Sequence, residues 1–168
     1  MSADAIKTVD FPPAYGADIV VSCEKAKDPK NGSIYLKPTQ FVLGIGCRRD
    51  TAFENIDRAI RQSLLKLQID ISDIDMIASI DVKKDEPGIK EFCERNRIEF
   101  VTYTADELMA VQGEFSASQF VVEHVGGDNV CERAAVLACS RECNKAGELI
   151  YKEHKYDRVT VAAARYPD

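Results

Sequence analysis

The sequence predicts an α/β domain: a three-layer sandwich with a largely parallel or mixed sheet and helices on both faces. Three observations lead there. From residue 41 onward, short apolar runs of buried-strand type alternate with stretches whose apolar residues recur at helical spacing. Parallel neighbours in such a sheet need right-handed crossovers, which carry helices to both faces. The 168 residues are about one domain's length, enough to bury a sizeable core without disulfides or metal.

Taken in order, residues 1–38 read as an irregular lead-in or the remnant of an upstream linker, packed on a domain filling residues 39–168. FPPAYGAD and KDPKNGS are rich in Pro, Gly and Asp, with only ADIVVS and SIYLKP as short extended pieces. FVLGIG, from Phe41, is the first strand. Thr51 and Glu54 have the spacing of a capping box, and Phe53, Ile56, Ile60, Leu64 and Leu67 then give one apolar helix face. MIASI (76–80) is the second strand. Pro87 suits the first turn of a helix that runs to about Asn96. IEFVTY (98–103) is the third strand, and Thr104 with Glu107 forms another capping box before the short helix ADELMAV. FSASQFVVEHVGG holds a Ser-rich turn and then a brief helix or strand, between which the pattern does not decide. Asp128 can cap a long helix ending near Gly147, and RVTVAAA (158–164) reads as the final strand.

The formal net charge of −6 argues against nucleic acid or an anionic membrane as the main partner, but not against a small anion held in a local positive pocket. No apolar run approaches the roughly 20 residues that span a bilayer. The start, MSADAIKTVDFPP, has neither a basic n-region nor an apolar h-region. A cytoplasmic chain with six reduced cysteines is therefore expected. Cys131, Cys139 and Cys143 match no zinc pattern and read as small buried hydrophobes. A metal on the face shared by Cys139 and Cys143 is the alternative. No metal and no cofactor is expected.

Ligands of open α/β sheets gather at the carboxyl ends of the strands. The loops there are Gly44–Thr51, Asp81–Gly88 and the turn after Tyr103. In GIGCRRDT, glycines let the backbone approach a ligand, helix-start amides favour an anion, and Arg48 and Arg49 fit carboxylates. The alternative is a tight strand-to-helix turn with solvated arginines. In DVKKDEPG, Lys83 can contact an anion and Glu86 can serve as a general acid/base; the alternative is a solvated loop with Glu86 near a helix N-terminus. Further along, Ser116 and Ser118 supply hydroxyls, Gly126 and Gly127 a turn, and Glu132 and Arg133 project from the first turns of the long helix. The only histidines are His124 and His154, and no GxSxG is present, which excludes a hydrolase triad.

GIGCRR, VKKDEPG, FSAS, VG-DNVCERAA and a Lys before a VTVA strand together resemble, in order and spacing, the C-terminal domain of the cobalamin biosynthesis protein CbiG and its free-standing relative CobE. The resemblance runs from about Leu36 to the end of the chain. It implies work on a corrin precursor. The two-domain members are cobalt-precorrin 5A hydrolases, which open a lactone on the contracted macrocycle and expel acetaldehyde. Their substrate is a flat polyanion bearing acetate and propionate arms. By this resemblance Gly44, Gly46, Cys47, Arg48 and Arg49 would form an anion-binding lip. Lys83 and Glu86 match the family's K-x-x-E loop, Ser116 and Ser118 its S-x-S turn, and Cys131, Glu132 and Arg133 its C-E-R helix start. Glu86 or Glu132 would act as base in lactone opening, with Lys83 and the glycine-loop amides stabilising the oxyanion. Arg133 and the two serines would bind substrate. Asp50 stands where the family usually has Gly, and Gly127 where a branched apolar residue is usual. The hydrolases also carry an N-terminal domain; that domain, or another enzyme of cobalamin synthesis, is the implied partner. Three readings stay open: a hydrolase of cobalamin synthesis, a non-catalytic corrinoid-binding or carrier module, and an unrelated anion-binding α/β domain.

Overall fold

Strand β3 (Phe41–Cys47) organises the larger part of the structure. Phe41, Leu43 and Ile45 alternate toward one core cluster, while Val42 faces a second on the opposite side. The computed structural model describes residues 18–21, 33–36, 41–115, 130–143 and 145–167. The chain divides into two compact units, Met1–Thr39 and Gln40–Asp168. In the first, β1 (Asp18–Val21) and β2 (Ser33–Leu36) pair in parallel.

The second unit holds β4 (Ile74–Ile80), β5 (Glu99–Tyr103), β6 (Glu148–Tyr156) and β7 (Val159–Arg165), in the order β5-β4-β3-β7-β6. β3, β4 and β5 are parallel neighbours; β7 runs antiparallel to β3, and β6 antiparallel to β7. The sheet is thus mixed, because the last two strands form a hairpin rather than a crossover. Helices α1 (Phe53–Leu67) and α2 (Pro87–Asn96) cover one face through Ile56, Ile60, Leu64, Ile89 and Phe92. Helices α3 (Ala105–Ala110) and α4 (Val130–Cys143) cover the other through Leu108, Ala134, Ala135, Ala138 and Cys139. Among the described residues no helix is long and apolar enough to cross a membrane.

Local signals resolve in two ways. Thr104 and Glu107 form the expected capping box, with Thr104 N donating to Glu107 Oε2 at 2.8 Å. Thr51 does not cap α1: the N-cap is Ala52, and the Thr51 hydroxyl donates to the Arg48 carbonyl at 2.6 Å. The preceding turn consumes the hydroxyl before the helix can use it. The long helix closes at Cys143, short of Gly147. Strand β6, in the stretch ELIYKEHKY, has no counterpart among the expected elements.

Candidate functional site

The carboxyl ends of β3, β4 and β6 and the start of β7 meet at one edge of the sheet, where a cleft of about 410 Å³ opens. Arg48, Lys83, Lys155 and Arg158 line it, and among the described residues no Asp or Glu does. In a chain of net charge −6 this is a local concentration of positive charge, although Lys83 lies 3.4 Å from Glu86 and Lys155 3.8 Å from Glu153 behind the wall. Apolar groups fill the spaces between: Ile80 and Val82 from β4 and the turn after it, and Val130 and Cys131 from the first turn of α4. That turn also brings the positive end of a 14-residue helix to the cleft.

Two loops are clasped at the rim. Arg48 N donates to the Arg158 carbonyl at 2.9 Å, and the Arg158 guanidinium donates to the Arg49 carbonyl at 3.2 Å. Asp50 and Arg158 both adopt left-handed backbone, with φ of 56° and 61°. Glycine takes such a conformation freely and Asp tolerates it, so Asp50 fits the left-handed position of this turn.

Lys83 ends a 3₁₀ turn, Asp81–Lys83, and is held from behind. Its Nζ lies 3.4 Å from Glu86 Oε2, while Glu86 Oε1 accepts the Thr51 backbone N–H at 3.1 Å. Glu86 is buried and occupies the N-cap position of α2, with Pro87 at the first helical position. It does not itself line the cleft. Cys47 does: burial pushes its thiol up to about 11, against the opposing pull of the Lys83 charge, while the Glu86 charge adds to the rise.

Other residues singled out in the sequence have different surroundings. Gly44 and Gly46 belong to β3, registered against Ala162 and Thr160, and not to a turn; the turn begins only after Cys47. Gly44 serves packing. A Cβ there would overlap the Cys131 carbonyl oxygen, so α4 can approach the sheet only over a glycine. Gly46 lines the cleft beside the Thr160 hydroxyl, whereas Arg49 is exposed outside it. Glu132 is fully buried, and its Oε1 accepts the Glu153 N–H at 2.7 Å. This donor sits where the β6–β7 register slips between Tyr151 and His154, so Glu132 satisfies a ladder group in an irregular stretch of the strand. Arg133 donates to the carbonyls of Leu108 and Val111 and stacks over Phe115, fastening α4 to the end of α3. Cys131 and Cys139 are buried; burial, then the Glu153 charge, raises the Cys131 thiol. His154 is exposed and stacks on Tyr151. Ser116, Ser118, His124, Gly126, Gly127 and Asp128 lie outside the described residues.

Sequence reasoning missed one wall of the cleft. Lys155, Tyr156, Arg158 and Thr160 all come from the β6–β7 hairpin. The available signal was KEHKYDR directly before an apolar strand, a basic-rich run with Asp157 as turn former.

A family model described as Cobalamin synthesis G C-terminus matches residues 41–164. The chain is 31% identical over 138 residues to a cobalt-precorrin-5A hydrolase of Priestia megaterium, covering 82% of this chain and 35% of that protein. It spans less than half the length of each of the hydrolase-named curated relatives it matches. The crystal structure of CobE, a protein from the cobalamin (vitamin B12) biosynthetic pathway, superposes with a TM-score of 0.70 at 25% identity, covering 77% of this chain and 92% of that one. Cobalamin biosynthesis protein chiG from Agrobacterium tumefaciens str. C58 superposes with a TM-score of 0.58 at 29% identity, over 76% and 99% of the two chains.

Proposed function

The chain belongs to the family described as Cobalamin synthesis G C-terminus, and from that premise we propose that it acts in cobalamin biosynthesis, holding cobalt-precorrin 5A by its carboxylates and taking part in opening the lactone with release of acetaldehyde. One observation carries this reading: among the described residues, four cations and no carboxylate line the cleft of an otherwise acidic protein. A corrin precursor is an apolar disc fringed with acetate and propionate arms. Cationic rims with apolar walls between them complement such a ligand on both counts.

Lactone opening adds water to the ester carbonyl and expels an alkoxide, so negative charge develops on the carbonyl oxygen. Lys83, only partly exposed and braced by Glu86, is the group suited to meet it. Glu86 and Glu132 remain the carboxylates that the family pattern offers as base. With Glu86 engaged by Thr51 and Lys83, and Glu132 by Glu153, the geometry favours positioning parts for both. The additional length of the hydrolase-named relatives is then the candidate source of the group that activates water.

A specific observation favours a second reading. Neither Glu86 nor Glu132 lines the cleft, and the chain covers 92% of CobE, so a corrinoid-binding module without turnover of its own fits equally well. Anaerobic incubation with cobalt-precorrin 5A separates the two. Acetaldehyde at multiple turnovers supports the hydrolase; a saturable spectral change without acetaldehyde supports the module. Absence of both would overturn the substrate assignment.

A further inference from the structure

Three large apolar side chains stand out as exposed among the described residues: Leu65, Val82 and Met109. Of these, Val82 alone lines the cleft, and it is 61% exposed. Nothing in the core requires it there. It lies in the polar sequence Asp81-Val82-Lys83-Lys84, on the 3₁₀ turn that follows β4, immediately before Lys83. Ile80 and Val130 line the same cleft, so Val82 shares its wall with other aliphatic residues.

We infer that Val82 is a specificity-determining residue: it supplies an apolar platform for the face of a rigid planar ring, while Lys83 beside it takes one of the ring's carboxylate arms. The inference rests on the polycarboxylate reading of the cleft and divides the work within it. Cations recognise the arms of any polycarboxylate, because charge attraction is indifferent to the skeleton carrying the charge. The platform rewards only a ligand with a broad apolar face, by removing the exposed part of the valine from water. The cleft therefore distinguishes a macrocycle from a flexible chain of equal charge.

The test uses the full chain and two probes: an octacarboxylate porphyrin, followed by absorbance, and a short oligoglutamate peptide of matched charge, followed by calorimetry. Val82→Ser is expected to weaken the porphyrin about fivefold to twentyfold. It should leave the peptide affinity within about twofold and the salt dependence unchanged, because no charge is altered. Lys83→Gln should weaken both probes and flatten the salt dependence. Val82 is exposed, so a folding defect is not expected, and the equally uncharged Val82→Asn provides a second variant that should weaken the porphyrin and spare the peptide. Unchanged porphyrin affinity in Val82→Ser, or an equal loss for both probes, would overturn the inference while leaving the cationic cleft intact. A wild-type chain that binds peptide as tightly as porphyrin would do the same. A wild-type chain that binds neither would overturn the polycarboxylate reading and this inference with it.

Discussion

The backbone amide of Thr51 donates to Glu86 Oε1 at 3.1 Å, and the other oxygen of that carboxylate lies 3.4 Å from Lys83 Nζ. One buried side chain therefore fixes the loop after β3 to the turn after β4 and aims the cleft lysine. Glu86→Ala leaves a buried amide and an ammonium without this partner and should destabilise the chain by about 2–4 kcal/mol in denaturant unfolding. Glu86→Gln keeps the acceptor for Thr51 and should cost about half as much. Equal losses would mean the link to Thr51 contributes nothing.

Gly44 and Gly46 are two residues apart on β3 but should respond differently to a methyl group. At Gly44 the added carbon meets the Cys131 backbone carbonyl, which cannot rotate away; at Gly46 it meets the Thr160 hydroxyl, which can. Gly44→Ala should cost about 3 kcal/mol or more, and Gly46→Ala about 1 kcal/mol. Thermal unfolding of the two variants checks the order.

Glu132 has no exposure and holds the Glu153 amide in the irregular part of β6. Glu132→Ala should lower stability by about 2–4 kcal/mol. It should also speed hydrogen exchange at the Glu153 amide more than at Thr160 or Val161 on β7. Uniform acceleration along both strands would contradict a local anchoring part.

Cys47 faces the cleft yet should react slowly. With its thiol raised from 9.0 to about 11, the thiolate population at pH 8 is about a hundredfold below that of an unperturbed thiol, and alkylation followed by mass spectrometry should slow accordingly. Lys83 opposes the rise, so Lys83→Gln should slow the reaction further. The folded state holds this proton more tightly than the unfolded state, so the contribution to stability is complete below pH 9 and is lost as pH rises through about 11. Cys93, pushed up to about 12 mainly by burial, acts in the same direction.

Much of the layered core was legible because apolar periodicity is a backbone-level signal. Ile56, Ile60 and Leu64 are buried where their spacing puts them, and α2 runs from Pro87 to Asn96. What escaped depends on tertiary partners. β6 is absent from the expected elements, since its ladder comes from β7 on one side and its irregular amide is satisfied by Glu132 on a distant helix. The hairpin it forms makes the sheet mixed and brings Lys155 and Arg158 to the cleft. Thr51 and Glu54 have capping-box spacing, but the turn takes the hydroxyl first. Lys83 and Arg48 were legible as residues of loops at one sheet edge, and both line the cleft; that Gly44 serves helix approach and Arg133 fastens α3 could be seen only once α4 was in place.

An anaerobic spectral titration of cobalt-precorrin 5A at low and high salt tests whether the cleft grips a polycarboxylate cobalamin precursor through its cations. Saturable binding by the wild-type chain should weaken at least about tenfold as salt is raised. Lys83→Gln and Arg158→Gln should each lose about a further tenfold. No binding, or binding equally tight at both salt concentrations and unchanged in the two variants, would contradict such a grip.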